Sequence, residues 1–512
     1  MEFLTTLPLP TYLSALALLA TLYVTTTILY NLFLHPLSSP SSFPGPLLNR
    51  ATRLPYAYAL ATGTAASYTH YLHEKYNSPI IRLSPNHLSF TDPSAWRDIY
   101  GHVASSSHSS GKEEHAKSRT FYRALIPGAA PNILDADRDT HSRLRKALSH
   151  GFSERALRSQ ESRISDFINL LVSKLSAKAA KGEKVDMVDW YTWTTFDLTA
   201  DLVFALSFGC LEKEEDHLFV KLNNEGLAAS GVLGALYYLG IVDKLVDVVM
   251  AQLMKLATDF SEEMRRLLRH RLEEEGEKED LFEGLVMRRD EWNLGIPELE
   301  SNATVLVIAG ADTTATQLSG VTYLLLTNPV CLAKVQKEVR EAYSSPEEIT
   351  LSTIDRLPYL VACMSEALRR YPPVTSNLVR EVPGSGSTIA GKFIPPGTMV
   401  ECQHWSMNHS RTNWVDPWAF RPERFLREKE TDGGGDKGNN MESYNPFSTG
   451  PRNCIGRNLA NAEMRLIFAR LIYEFDMSLA DEDEDDWIKK QKSFLFWEKR
   501  PLKVRLIPVM NR

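Results

Sequence analysis

Ten residues at positions 447–456, Phe-Ser-Thr-Gly-Pro-Arg-Asn-Cys-Ile-Gly, hold the densest chemistry in this 512-residue chain. Cys454 stands between two glycines, two residues after Arg452 and just before a helical apolar pattern over residues 459–471. That arrangement suits a thiolate on the iron of a flat macrocycle. Gly450 and Gly456 lack side chains, so the backbone can turn tightly and let a planar ring lie against it. Phe447 can cover the sulfur and exclude water, and Arg452 can pair with a carboxylate on the ring edge. A helix N-terminus close behind Cys454 would favour thiolate over thiol. An anionic sulfur on iron pushes electron density onto dioxygen and favours O–O cleavage. The plainer reading, a small buried cysteine, leaves the surrounding pattern unexplained.

A second cluster lies within residues 297–328, the longest periodic apolar segment after the N-terminal one, with Pro297 suited to a first helical turn. Its middle reads Ala309-Gly310-Ala311-Asp312-Thr313-Thr314. A glycine inside a helix costs about 1 kcal/mol relative to alanine, so Gly310 beside an acid and two threonines calls for a reason. Oxygen activation supplies one. Gly310 would let the helix approach the ring and widen locally, Thr313 would hydrogen-bond dioxygen, and Asp312 would feed protons inward through water so that O–O scission is heterolytic. Seen alone, the same residues also fit a solvent-facing polar patch on an amphipathic helix.

Together these clusters resemble the motifs of the cytochrome P-450 family, the heme-thiolate monooxygenases. The cysteine-loop pattern Phe-x-x-Gly-x-Arg-x-Cys-x-Gly is met at Phe447, Gly450, Arg452, Cys454 and Gly456, and the acid-threonine motif at Gly310, Asp312, Thr313 and Thr314. The resemblance implies heme b as cofactor, with Cys454 as its metal ligand. It also implies a mainly α fold with a large helical part and a smaller β-rich part. It assigns Arg145 to a heme propionate, with His141 four residues earlier where many members carry tryptophan; the spacing puts both on one face of a helix over 139–152. It assigns Glu366 and Arg369 on a helix over 359–371, together with Arg424, to a buried ion triad that locks the cysteine loop. Read without the family, a Glu-x-x-Arg pair is a common helix surface feature.

No Gly-x-Gly-x-x-Gly fingerprint or flavin-type domain accompanies these motifs, so electrons are expected from a separate NADPH-dependent reductase. The implied reaction is insertion of one oxygen atom from dioxygen into a bulky apolar small molecule, by hydroxylation or epoxidation, in a secondary-metabolite pathway such as a polyketide or terpenoid one. Two rivals stand beside it. A heme-thiolate isomerase or dehydratase acting without dioxygen would have no need of Asp312 and Thr313. A non-catalytic heme sensor would be excluded by turnover.

Composition bounds the rest. A net charge of -7 gives no basic excess for nucleic acid, and five cysteines, at 210, 331, 363, 402 and 454, are scattered and form no Cys-x-x-Cys pair. That argues against a disulfide framework or a zinc site and for a reducing compartment. Residues 12–34 carry no charge and are long enough to span a bilayer. Ala15-Leu16-Ala17 resembles a cleavage box, but the apolar run continues too far for a signal peptide. With Glu2 before it and Arg50 and Arg53 after it, the run is expected to be a single-pass anchor of the endoplasmic reticulum with the catalytic part in the cytosol. The expected division is an anchor at 1–34, a proline-rich hinge at 35–46 and the catalytic domain at 47–512.

Further along, 80–90 reads as a hairpin turning at Ser84-Pro85-Asn86, and 101–117 as a solvated loop whose histidines 102, 108 and 115 are too irregular to bind metal. Residues 227–249 fit either a membrane-facing lid or a buried core helix. The mixed charges of 262–290 predict a solvated helical face. A strand is expected over 374–382, a hairpin over 389–400 around Pro395-Pro396-Gly397, a loose insertion over 426–441, an acidic surface turn over 481–486 and an apolar hairpin tip at 494–496. The sequon-like Asn302-Ala303-Thr304 is expected to be unmodified inside its helix.

Overall fold

A computed structural model describes residues 9–39, 43–102, 113–122, 130–241, 254–273, 280–376, 378–426, 438–480 and 487–509. The fold is mainly α with a small β part, and the long helix Ile296–Leu326 runs through its centre. Pro297 sits in the first turn of that helix, where its missing N–H is no loss, and nearly every residue beyond it is buried. The helix Met187–Phe204 packs along it and is buried on almost all sides. The helix Arg457–Glu474, which follows the cysteine loop, packs on it as well.

Among the described residues the largest sheet has five strands in the order Ile80–Ser84, His87–Phe90, Met399–Cys402, Arg380–Glu381, Ala116–Lys117, and smaller sheets of two or three strands accompany it. The predicted hairpin at 80–90 is present, with Ile80 opposite Phe90. Elsewhere the strands depart from expectation. Among the described residues of 374–382, only Arg380 and Glu381 are strand, paired to Val400 and Met399. The hairpin expected around Pro395-Pro396-Gly397 turns instead at Ala390-Gly391, joining Ser387–Ile389 to Lys392–Ile394. Both of those turn residues have positive φ, which the chain can adopt tightly there.

The N-terminal helix Leu9–Leu29 continues through a π-helical turn, Tyr30–Leu34. The apolar stretch Pro10–Leu34 has mean hydropathy 1.7 and no buried share. Its 25 residues make a rod of about 37 Å at 1.5 Å per residue, longer than the roughly 30 Å of a bilayer core. The described residues of the proline-rich stretch behind it are strapped to the domain. Leu37 is fully buried, and Arg82, itself buried, donates to the Leu37 carbonyl at 2.6 Å and the Asn31 carbonyl at 3.3 Å.

Other segments are partly as expected. The described part of 227–249 is helix to Leu239, packed on the helix Leu54–Ala61, and Tyr238 is fully buried while Val232 is exposed. The solvated face expected over 262–290 needs correction. Met264, Leu267 and Leu268 are buried, and Arg271 is buried against Asp280 at 2.7 Å, so the charge pattern concealed an internal ion pair. His115 is likewise buried, beside the strand Ala116–Lys117, and not solvated; His108 and most of its loop lie outside the described residues. So do 481–486 and most of 426–441.

Candidate functional site

Thr313 is accessible because of where it falls on the long helix. At 3.6 residues per turn, positions four apart share a stripe. On one stripe Ala309 is exposed and Thr313 half-buried, an opening in an otherwise buried helix. The Thr313 hydroxyl donates to the Ala309 carbonyl at 2.7 Å, so its oxygen remains free to accept. The neighbouring stripe holds Gly310 and Thr314. A Cβ at position 310 would stand 3.0 Å from Thr199 Cγ2, which explains the glycine by close packing against the helix Met187–Phe204. The expected local widening is absent, since the helix stays α throughout. Thr314 donates to the Gly310 carbonyl at 2.8 Å and lies 3.5 Å from Glu463 on the helix behind the cysteine loop.

Asp312 occupies a third stripe and is buried. Its Oδ1 accepts from Lys499 Nζ at 2.6 Å, and Lys499 also donates to Thr316, one turn on, at 3.1 Å. The Asp312 and Lys499 side chains are only 5% and 7% exposed. Asn302, of the sequon-like triplet, is buried and accepts from the Ile133 N–H.

The cysteine loop closes through the Cys454 N–H, which donates to the Phe447 carbonyl at 2.9 Å. Gly450 has φ +75°, and a Cβ there would fall 1.8 Å from the Tyr100 carbonyl oxygen. Its glycine is therefore required by the turn and by Tyr100. Gly456 shows no such need: a Cβ would meet Phe152 at an ordinary 3.6 Å. It is the residue before the helix Arg457–Glu474, so Cys454 lies just ahead of a helix N-terminus as expected. Cys454 is the one exposed cysteine of the five. Yet its sulfur is enclosed by protein, and burial pushes its thiol up despite the Gly456 N–H and the nearby Arg145 and Arg457. Exposure together with enclosure means that its free surface faces an interior space.

Phe447 is partly buried against the main core, with the Arg457 guanidinium 5.9 Å from its ring centre. Arg145 and His141 both lie on the helix Arg138–Leu148, which Asp137 caps by accepting from the Thr140 N–H. They line one cavity of about 460 Å³ with Arg452, Glu114 and His102. Both arginines are also engaged by the protein. Arg145 donates to the Asn453 carbonyl at 2.6 Å and to the Asn453 side chain, while Arg452 pairs with Glu114 at 2.8 Å and donates to the Ala136 carbonyl.

Two cations that sequence reasoning missed complete the cluster. Lys117 and Arg380 are directly opposite each other in the sheet, a like-charge pairing that is destabilising unless an anion compensates it. Arg380 is buried and its Nη1 has no partner among the described residues. Burial, then Arg380 and Arg452, hold the Lys117 ammonium well below its usual range, and burial, then Arg452 and Lys117, push His141 down to about 3. Glu114, which already pairs with Arg452, does not balance so many cations. The donor set fits the two carboxylates of a heme edge, and the accessible Cys454 sulfur fits its iron. Spacing in the sequence could not reveal Lys117 and Arg380, because only strand pairing brings them together.

Behind the site, Glu366 accepts from Arg369 at 2.8 Å and from Arg424 at 3.3 Å, all three fully buried side chains. The remaining guanidinium hydrogens go to carbonyls, among them Asn408, Pro417, Val415 and Asp416. Glu463 was also missed. It is buried, its Oε1 has no partner among the described residues, and burial raises its carboxyl to about 8. An acid between Leu459 and Leu466 on an apolar stripe was the available signal.

The family model described as Cytochrome P-450 matches residues 52–505. The cytochrome P-450 monooxygenase tpeC of Talaromyces stipitatus is 40% identical over 95% of this chain and 93% of its own length. The cytochrome P-450 monooxygenase prhB of Penicillium brasilianum is 38% identical over 95% and 96%. A trichothecene C-15 hydroxylase of Fusarium sporotrichioides is 37% identical over 95% and 96%.

Proposed function

Since the chain belongs to the cytochrome P-450 family and is an oxidoreductase of its monooxygenase class, we propose that it inserts one oxygen atom from dioxygen into a bulky apolar small molecule. The product is an alcohol or epoxide on a fungal secondary metabolite, of polyketide or terpenoid type. The observation that carries this reading is the accessible Ala309–Thr313 stripe on a helix otherwise sealed in the core, in a chain whose one exposed cysteine faces an interior space.

In this reading Cys454 is the metal ligand of heme b, and Lys117, His141, Arg145, Arg380 and Arg452 surround its carboxylates. Bound there, heme with a thiolate ligand supplies dioxygen binding and the electron push toward O–O cleavage. The protein contributes the rest. Phe447 shields the sulfur, Gly450 sets the loop against Tyr100, Gly456 starts the following helix, and Gly310 lets the long helix seat against Thr199. Thr313 accepts and passes a hydrogen bond to dioxygen, and Asp312 renews its proton. Phe494 and Phe496, both buried at the last hairpin's tip, help to enclose the substrate.

Electrons come from a membrane-bound NADPH-dependent reductase on a separate chain. The apolar N-terminal helix anchors residues 1–34 in the endoplasmic reticulum, residues 35–46 lead into the domain, and residues 47–512 work on the cytosolic side. The test is Thr313→Ala with reductase and NADPH. Peroxide released per NADPH should rise, and tight coupling in that variant would overturn the proton-delivery role.

A further inference from the structure

The last hairpin joins two parts of the molecule that the chain keeps far apart. Its tip is packed tightly: a Cβ on Gly231 would fall 2.3 Å from the Phe494 ring, and one on Gly63 2.9 Å from it. Gly231 belongs to the helix Leu218–Leu239, and Gly63 follows the helix Leu54–Ala61. The returning strand, Trp497–Glu498, is fastened to the far end of the ion-triad helix. Trp497 Nε1 donates to the Pro372 carbonyl at 2.9 Å, and its ring stacks on Tyr371 with centroids 4.7 Å apart. Tyr371 in turn lies against the long helix, where a Cβ on Gly320 would stand 2.4 Å from its ring.

Gly320, Thr316 and Asp312 are spaced four apart and share the stripe that the hairpin covers. Lys499, one residue beyond the strand, reaches both Thr316 and Asp312 from this side. Asp312 is thus held by Oδ1 alone, while its Oδ2 is buried and has no partner among the described residues. Thr313, the next residue, opens on the adjacent stripe.

We propose that Lys499 is the positioning residue for proton delivery: it pins Asp312 by one oxygen on the hairpin side of the long helix and leaves the other oxygen to relay protons toward Thr313. The inference rests on the monooxygenase reading above. Two electrons from NADPH and two protons turn dioxygen into hydrogen peroxide. When both protons reach the same oxygen, water leaves and the other oxygen atom enters the substrate. Asp312 passes each proton on and is recharged from water. Lys499 forms no covalent bond; it fixes geometry and compensates charge in a dry setting, where a lone carboxylate would be costly.

The experiment compares Lys499→Met, Lys499→Arg, Asp312→Asn and the Lys499→Met/Asp312→Asn double variant as holoenzymes with reductase, NADPH and dioxygen. Hydrogen peroxide per NADPH is the readout, and it needs no identified substrate. Lys499→Met should raise it several-fold with the reduced carbon-monoxide spectrum unchanged, Lys499→Arg should restore most of the coupling, and the double variant should be no leakier than Asp312→Asn. Without reductase or NADPH, Lys499→Met should melt earlier, and adding Asp312→Asn should recover part of the loss, because the unpaired carboxylate is gone. Wild-type coupling in Lys499→Met, or additive effects of the two single changes, would overturn the proposal. The Thr313→Ala variant separates the two levels: if it leaks and Lys499→Met does not, only the lysine's role fails, whereas if neither leaks, the reading of the whole acid-threonine pair fails. Should Lys499→Met not fold, Lys499→Gln, which keeps a donor and removes the charge, replaces it with the same expected outcomes.

Discussion

Glu463 shows most directly how burial sets the behaviour of one side chain. Its carboxyl has an ordinary value of 4.5 and is lifted to about 8 by desolvation, with the Thr314 hydroxyl only partly offsetting it. The folded protein therefore holds a proton that the unfolded chain gives up over most of that window. Stability must fall as pH rises from the unfolded to the folded value, and level off above it. Glu463→Gln should remove this dependence. Its melting temperature should match the wild type at pH 4 and exceed it at pH 8, and parallel melting curves across that range would contradict the assignment. Charge at the proposed heme edge follows the same physics in reverse: Lys117 and Arg380 are crowded basic groups that an anion would relieve, and His141 beside them is held down to about 3 by burial and by these neighbours. In the sequence, Cys454 and Thr313 stood out by their local motifs, whereas the Glu366–Arg369 pair was singled out only through the family resemblance. Lys117, Arg380, Lys499 and Glu463 escaped because each acquires its meaning from a partner far away in the chain.

At the level of elements, the cysteine loop is held from three directions. Gly450 closes on Tyr100, Arg145 grips Asn453, and the Glu366–Arg369–Arg424 triad fastens the scaffold behind it. Arg424→Ala would leave Glu366 with less compensation in a fully buried place. Breaking such a pair costs roughly 3–5 kcal/mol. Denaturant unfolding should show a loss of that order together with weakened heme retention, and a surface-like loss below about 1 kcal/mol would mean that the triad is not the lock described. Long helices were readable because their apolar period spans many turns, as with Ile296–Leu326. Short strands were not. Among the described residues the expected strand over 374–382 shrinks to Arg380–Glu381, and the turn at 395–397 forms but leads into Met399–Cys402, which pairs elsewhere while the hairpin closes at Ala390-Gly391, because short pairings are decided by neighbouring strands and not by propensity.

Across the whole molecule, the apolar N-terminal helix is joined to the domain by a docked strap. Arg82 binds carbonyls on both sides of the junction, at Asn31 and Leu37, and its N–H binds the Pro44 carbonyl at 2.8 Å. Removing residues 1–34 should release the protein from membranes with little change in melting temperature. Removing residues 1–46 should lower it distinctly, since Arg82 would be left buried without those acceptors, and equal melting of the two truncations would contradict the strap. Prolines at high density suggested a hinge, and the contact that converts it into a strap was invisible without Arg82 beside it. All of this architecture serves one proposed bond, between the Cys454 sulfur and iron. The most direct measurement is the reduced carbon-monoxide difference spectrum of the purified wild type and Cys454→Ser. A strong violet-edge band in the wild type that vanishes in Cys454→Ser is the predicted result, and the same band persisting in Cys454→Ser would contradict the account.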